Sequence, residues 1–348
     1  MKYTFVVAIL ISAKCIAQST PSEFAEMNFQ ELFNQSLYET SSERYLSSPW
    51  LVGYQTKSVK FEGYLEGSKS LSFDDVLWNG PSEIRTSKNF PVLPTIIYQK
   101  AHVISLGYQF SPSWQAQISI PHLKQKTDHV SIVSNYNFFI IETEGVGDVA
   151  VSANYNWNNA GAGVWGLSFG ITLPTGSIDK LGDTPRAAGD QELPYTMQLG
   201  SGTYDFPIEL SYKNQGSHDF SVSLSANIRT GYNSRNYRLG NNYSLKGRYQ
   251  IELSSTLRSY AELGFRYSDT ISGQDDSLLV NAPFPYPASI TNPKFYGGKK
   301  IDAGLGLSWK FAKDYQLTLE IGKPLYQHLN GPQPKEQWRN NISLSKLI

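Results

Sequence analysis

The chain has 348 residues, which is enough for one large β domain or two domains of average size. Lysine and arginine balance aspartate and glutamate at 30 each, so the sequence lacks the basic surplus of a protein that binds nucleic acid. It also lacks the ~18 uninterrupted apolar residues of a transmembrane helix, although it contains 22 tyrosines, 17 phenylalanines and 7 tryptophans. These counts exclude a nucleic-acid partner and a helical membrane protein.

Residues 1–17 have the form of a secretory signal peptide. Lys2 is followed by an apolar run, and Cys15-Ile16-Ala17 forms a small-x-small cleavage site. The apolar run is too short to cross ~30 Å of hydrocarbon, which disfavours an N-terminal membrane anchor. We therefore expect export and cleavage after Ala17. Cleavage removes the single cysteine, so the mature chain is expected to contain no disulfide.

Residues 18–56 precede the first predicted strand. Their apolar side chains recur at roughly helical spacing, which favours a short amphipathic helix lying against or inside the mouth of the main domain. A mobile polar leader fits the same residues equally well. We assign them to a periplasmic N-terminal segment.

The clearest strand pattern lies between Gly145 and Gly176. Two arms joined by a Gly/Asn turn each place apolar side chains at every second position. These side chains are Val149, Val151, Ala153, Tyr155 and Trp157 in the first arm and Trp165, Leu167, Phe169, Ile171 and Leu173 in the second. The opposite face of each arm is small and polar, so this hairpin alone fits either a soluble sandwich or a membrane barrel.

The same period of two recurs in twelve segments. They are 57–65, 101–110, 114–126, 146–157, 164–174, 203–213, 219–232, 242–253, 259–269, 300–311, 315–326 and 338–348. Short links follow the even-numbered segments and longer links follow the odd-numbered ones, which is typical of tight periplasmic turns and external loops. The sequence therefore predicts an all-β fold, a transmembrane antiparallel up-and-down β-barrel of about twelve strands over residues 57–348. Ten or fourteen strands are the alternatives.

Four glycine-rich segments follow one another in a characteristic order: GVGDVAVSANY (145–155), GLSFGITLPTG (166–176), LGSGTYDFPIELSY (199–212) and GLGLSWKF (304–311). In this order they resemble the outer-membrane family named for the meta-pathway of phenol degradation. The resemblance implies a barrel of the transporter type that passes small, often hydrophobic or aromatic, compounds. It fixes no substrate, and the final Ile348 departs from the aromatic residue that ends many such barrels.

Charged side chains recur on the polar faces of the later strands. They are Asp205, Glu209, Lys213, Arg229, Lys246, Arg248, Glu252, Glu262, Arg266, Asp302 and Glu320. Alternation places them in the lumen, because Arg or Lys on the lipid face costs about 2–4 kcal/mol at the midplane. They would line a selective path, or they would form cross-strand ion pairs that fill a small barrel. Both readings fit the sequence.

Aromatic residues cluster beside the short links. They are Tyr108, Phe110, Trp114, Tyr155, Trp157, Trp309, Phe311 and Tyr315. This position suits an interfacial girdle, so we expect outer-membrane lipid to be one partner. The other expected partner is a small-molecule solute, as for a transporter barrel.

An enzyme is the weakest reading of the chain. Gly231 to Arg238 loosely resembles a serine hydrolase segment, but His218 lies about 45–50 Å of extended chain from Ser234, so the pair cannot meet. The sequence predicts no metal site and no cofactor. It favours a passive outer-membrane channel or transporter, with a closed structural or surface-binding barrel as the alternative and an outer-membrane lipid hydrolase behind it.

Overall fold

The computed structural model describes residues 49–159, 163–214, 218–312 and 314–348. The predicted signal peptide and nearly all of the N-terminal segment lie outside the described residues. In chain order the strands are β1 (Trp50–Gly67), β2 (Lys69–Leu71), β3 (Val92–Gln109), β4 (Trp114–Ser131), β5 (Phe138–Val146), β6 (Val149–Asn159), β7 (Gly163–Leu173), β8 (Leu181–Asp183), β9 (Asp190–Glu192), β10 (Tyr204–Lys213), β11 (His218–Thr230), β12 (Tyr237–Arg238), β13 (Asn242–Glu252), β14 (Leu257–Ser268), β15 (Ser272–Gly273), β16 (Gly298–Ala312) and β17 (Tyr315–Leu347).

The helices are short and lie in the connections between strands. They are α1 (Phe73–Val76) and the 3₁₀ helices Tyr195–Met197, Asp276–Leu278, Ser289–Thr291 and Pro293–Phe295. No helix among the described residues is long and apolar enough to cross a membrane.

A closed antiparallel barrel forms the body of the protein. Eleven strands make the ring in the order β17-β16-β14-β13-β11-β10-β7-β6-β4-β3-β1, and β1 pairs with β17 to close it. Two further strands, β2 and β5, extend β1 and β4 outside this ring. Closure leaves the ring without free edges, which is what a sheet needs in lipid. The predicted fold class is confirmed.

The long strand β17 accounts for two of the barrel crossings. Its first part, up to Leu329, pairs antiparallel with β16, and its last part, from Gln333, pairs antiparallel with β1. The Leu347 amide donates to the Asp314 carbonyl at 3.0 Å, so both ends of β17 lie at the same end of the barrel. The chain therefore reverses near Leu329, and its described part crosses the barrel twelve times. This reversal is also what allows eleven elements to close with antiparallel pairing throughout.

Several strands are longer than the hydrophobic pattern predicts. β1 begins at Trp50 rather than at residue 57, β4 and β5 run into the predicted link 127–145, and β17 continues through 327–337. Outward-facing ion pairs explain the difference on β4 and β5, where Lys124 contacts Glu144 at 3.1 Å. There the outer face is charged instead of apolar, so the alternation of hydrophobicity ends while the strand continues.

Most crossings direct polar side chains inward and apolar side chains outward. On β11, Leu224 is 57% exposed on the outer surface, whereas Asn227 and Arg229 on the inner face are each 2% exposed. At the short-turn end the outer surface carries aromatic contacts that run from Trp114 through Tyr155, Trp157, Trp165 and Tyr212 to Phe220. Trp114, Tyr155 and Trp157 of the predicted aromatic set thus belong to a continuous belt over five crossings.

Candidate functional site

The lumen contains a cavity lined almost entirely by polar side chains. They come from β1, β10, β11, β13, β14, β16 and both parts of β17, so the cavity lies inside the ring. Its charged lining residues are Lys57, Glu209, Lys246, Glu262, Arg266, Asp302, Glu320 and Arg339. Ser225, Asn227, Asn242, Ser244 and Asn341 line it with neutral polar groups.

One wall of this cavity is a cluster of three cations around two buried carboxylates, which we call the Glu336 cluster. Arg266 holds Asp302 through two hydrogen bonds of 2.6 and 2.8 Å and reaches Glu336 at 2.9 Å. Arg339 bridges the same two carboxylates at 3.0 and 2.7 Å, and Lys300 lies 3.5 Å from Glu336. The Glu336 side chain is fully buried, so its charge is compensated entirely by these partners.

A second cluster surrounds Arg248. Its guanidinium contacts Glu262 at 2.8 Å and Glu320 at 3.9 Å, and it lies 4.2 Å from the centre of the Tyr260 ring. Tyr260 donates from its hydroxyl to Glu320 at 2.9 Å. The ring occupies the space above Gly306, where an added Cβ would clash with the ring carbon that carries the hydroxyl. Glycine at this position therefore lets the aromatic ring lie flat against the barrel wall and hold the cluster.

The remaining predicted lumen residues lie elsewhere along the barrel. Asp205 and Arg229 form a fully buried pair at 3.1 Å, and Thr203 donates to the same carboxylate. Lys213 contacts Asp219 at 3.5 Å, and Glu252 contacts Arg258 at 2.7 Å, both next to short turns. The sequence-based set thus spans a central cavity, a buried pair and the short-turn end.

Four residues of this interior were missed by the sequence reasoning: Lys57, Lys300, Glu336 and Arg339. Three of them occupy inner-face positions of segments whose alternation was already visible. Glu336 fell in a predicted link, because Gly331, Pro332 and Pro334 resemble a loop although they belong to a strand hairpin. The usable signal for Arg339 was the alternation of the inward-facing positions Arg339, Asn341, Ser343 and Ser345. A register shift between β1 and β17 places Glu336 outside this alternation.

The opposite wall of the lumen is neutral and is covered by loop 174–203. Gln125 donates to the Gln198 carbonyl at 2.8 Å, and Thr143 donates to the Met197 carbonyl at 2.8 Å. Leu199 packs into an apolar cluster on the inner wall with Val59, Phe61, Ile97, Ala101, Val103 and Leu123. This loop therefore folds into the barrel and narrows the lumen.

Arg235 joins three external loops at one point. From loop 231–241 its guanidinium contacts Asp275 at 2.6 Å in loop 269–297, and Asp179 and Glu192 at 3.1 Å each in loop 174–203. It also donates to the Ser277 hydroxyl at 2.7 Å. We call this set of contacts the Arg235 clasp.

An aromatic core lies beneath the clasp. Tyr195 packs edge-on against Tyr237 with ring centres 4.7 Å apart and against Tyr296 at 5.7 Å, so each of the three loops contributes one ring. Pairing of β12 with β15 adds a short ladder between two of the loops. The loops therefore form one packed cover over the external end of the barrel.

Glu192 is a carboxyl group of this cover whose pKa is raised into the neutral range. Burial raises the pKa of Glu192 to about 7, and the neighbouring Arg235 offsets only part of the shift, while Asp275 and Asp179 add to it. Opening the loops to water would return the pKa toward its ordinary lower value. The closed cover therefore binds a proton that the open one releases.

The sign of this linkage predicts a pH-dependent conductance. The closed cover is favoured as Glu192 is protonated, and that advantage is lost as the pH rises through about 7. Lowering the pH from about 8 to about 6 should reduce the open fraction in bilayer recordings, and Glu192→Gln should flatten this response. An unchanged pH response in Glu192→Gln would assign the titration to another group.

No group of three or more histidine, cysteine, aspartate or glutamate side chains in the described ranges is arranged to hold a metal ion.

A family model described as "Putative MetA-pathway of phenol degradation" matches residues 129–326, which is more than half of the chain. The chain belongs to this family. The match confirms the family resemblance and runs from the end of β4 into the first part of β17. No curated protein sequence matches the chain significantly.

Solved structures of outer-membrane barrels are similar to this phenol-degradation family barrel. The COG4313 outer membrane channel from Pseudomonas putida F1 superposes with a TM-score of 0.54 and 14% identity, over 86% of this chain and 96% of that one. The translocator domain of the autotransporter NalP from Neisseria meningitidis matches with a TM-score of 0.47 and 8% identity, over 92% and 96%. At this identity the first match shows an outer-membrane barrel fold.

Proposed function

We propose that this protein is an outer-membrane channel for the passive passage of small molecules. The observation that carries the proposal is the polar cavity inside a closed barrel, lined by charged side chains from several crossings. A barrel that served only as a scaffold could fill its interior with apolar side chains and needs no such cavity. The solute would move down its gradient between the charged wall and the neutral wall.

Family membership supports small, hydrophobic or aromatic compounds as the solute class. The similar Pseudomonas putida barrel is named as an outer membrane channel, which supports a channel rather than an enzyme. Export through a signal peptide cleaved after Ala17 would deliver the chain to the outer membrane, with residues 18–49, which precede β1, on the periplasmic side.

A closed structural or surface-binding barrel is the second candidate. It is favoured by the packed cover, because the Arg235 clasp and the inserted loop 174–203 obstruct the external entrance. The two functions differ in whether the cover opens.

Solute uptake by proteoliposomes tests the proposal. Vesicles containing the refolded protein should swell in glucose or benzoate faster than empty vesicles and should exclude a trisaccharide. Swelling equal to that of empty vesicles, with both solutes and with the cover loosened, would favour the closed barrel.

The proposed membrane position makes a further prediction. Leu305 is 57% exposed at the centre of the outward face of β16, so Leu305→Arg should cost about 2–4 kcal/mol of unfolding free energy in lipid. Leu253→Arg, beside a short turn, should cost only about 0–1 kcal/mol. Urea unfolding in vesicles measures both, and equal costs would mean that Leu305 does not face the hydrocarbon.

A further inference from the structure

Lys57 and Lys246 face the central cavity and make no ion pair of contact length with the described residues, although the charge of Lys246 acts on Glu262. Lys57 on the inner face of β1 is only 2% exposed, and Lys246 on β13 lines the same cavity. Within the described part of the chain, neither ammonium group makes a hydrogen bond or has a carboxylate oxygen within 4.0 Å. Both groups therefore end at the cavity itself.

The carboxylates on the nearby wall are held by other groups. Glu262 is held by Arg248 at 2.8 Å, and Glu320 accepts from Tyr260 at 2.9 Å. Glu262 and Glu320 influence Lys57 electrostatically, and Glu262 also interacts with the charge of Lys246, but neither carboxylate contacts a lysine. Glu209 lines the same cavity and has interactions of its own. The two lysines thus remain available to a group that enters the cavity.

Lys57 is buried and Lys246 is half-buried, and two like charges that face one cavity are unfavourable unless something compensates them. A buried charge without a contacting partner carries a desolvation cost of several kcal/mol, and two ammonium groups facing the same space also repel each other. An anion between them would remove both costs. The Glu336 cluster, with three cations for two carboxylates, adds positive charge on the same side of the lumen.

We propose that Lys57 and Lys246 form an anion-binding site in the lumen, which takes the carboxylate of a small organic acid or an inorganic monoanion. The role of this site rests on the proposed channel function, because the site would make the channel selective for anionic solutes. An ammonium group is a compact point charge with three rotatable donors, so it suits an anion that binds briefly and moves on.

Reversal potentials and benzoate block test the site. In a KCl gradient the wild-type channel should prefer chloride, and the double variant Lys57→Gln/Lys246→Gln should lose that preference. Benzoate should block the chloride current of the wild-type protein at concentrations at least tenfold lower than in the double variant. A change in the reversal potential with equal benzoate block would indicate a site for inorganic anions only.

Lys323→Gln provides the matched control, because Lys323 is exposed on the outer face and loses the same charge. It should behave like the wild type. Lys246→Gln alone should produce a partial shift of the reversal potential. This single variant tests the site if the double variant does not fold. Unchanged selectivity and unchanged block in folded variants would overturn the proposal and leave the channel function standing.

A silent wild-type barrel would contradict the proposed function without deciding the site. Calorimetric titration of the refolded protein with benzoate then tests the site directly. Binding that weakens at least tenfold in the double variant would support it, and absence of binding to the wild type would overturn it.

Discussion

Replacement of Arg235 with glutamine is expected to raise the single-channel conductance of the refolded barrel several-fold. Arg235 is the residue through which three loops meet, with ion pairs to Asp275, Asp179 and Glu192 at 2.6 to 3.1 Å. The guanidinium fork holds several acceptors at once, and a glutamine amide cannot replace it. Without the clasp the loops should separate more often, because two buried carboxylates and one exposed carboxylate lose their shared cation.

Arg238→Gln is the matched control for this experiment. Arg238 lies in the same loop and loses the same charge, but its side chain lies over Tyr232 of its own loop at 5.7 Å. Its conductance should stay close to that of the wild type. Limited proteolysis should cut loop 174–203 faster in Arg235→Gln than in Arg238→Gln. Equal conductance and equal cleavage in the two variants would mean that the cover does not control entry.

Glu336→Gln is expected to destabilise the barrel by about 3–5 kcal/mol, the cost of removing one member of a buried ionic network. Glu336 is fully buried and forms ion pairs with Arg266, Lys300 and Arg339. The variant leaves three cations facing one remaining carboxylate, that of Asp302. Urea unfolding of the refolded protein in detergent measures the loss.

The control for this variant is Glu252→Gln. Glu252 contacts Arg258 at 2.7 Å, but its side chain is 49% exposed beside a short turn. Solvent screening limits an exposed pair to at most ~1 kcal/mol, so the unfolding midpoint should hardly move. Similar losses in the two variants would show that the Glu336 cluster is no more important to stability than a surface ion pair.

The barrel was predictable because hydrophobicity alternates with a period of two along most crossings. Lipid favours apolar side chains on the outer face, and the lumen favours polar side chains on the inner face. The short links and the twelve crossings follow from the same rule. The extensions beyond the apolar band were not predictable from hydrophobicity, because residues such as Lys124 and Glu144 are charged on the outer face. There the strand is continued by backbone hydrogen bonds to its neighbour, which do not depend on side-chain hydrophobicity.

The lumen was predictable in kind but not in its pairings. Alternation placed Glu262 and Arg248 on inner faces, and the register then brought them to 2.8 Å. The partners in each ion pair depend on the register of strands that are not adjacent in the barrel, as they do for Arg266 and Glu336. The Arg235 clasp depends on loop conformations that no periodic pattern encodes, so neither Arg235 nor the insertion of loop 174–203 could be anticipated.

The most direct test of the central claim is single-channel recording of the refolded mature protein in a planar bilayer. A channel with a narrow, charged lumen predicts small discrete openings in the wild type and larger ones in Arg235→Gln. A barrel that stays silent in both forms, although it is folded and inserted, would contradict a path through the lumen.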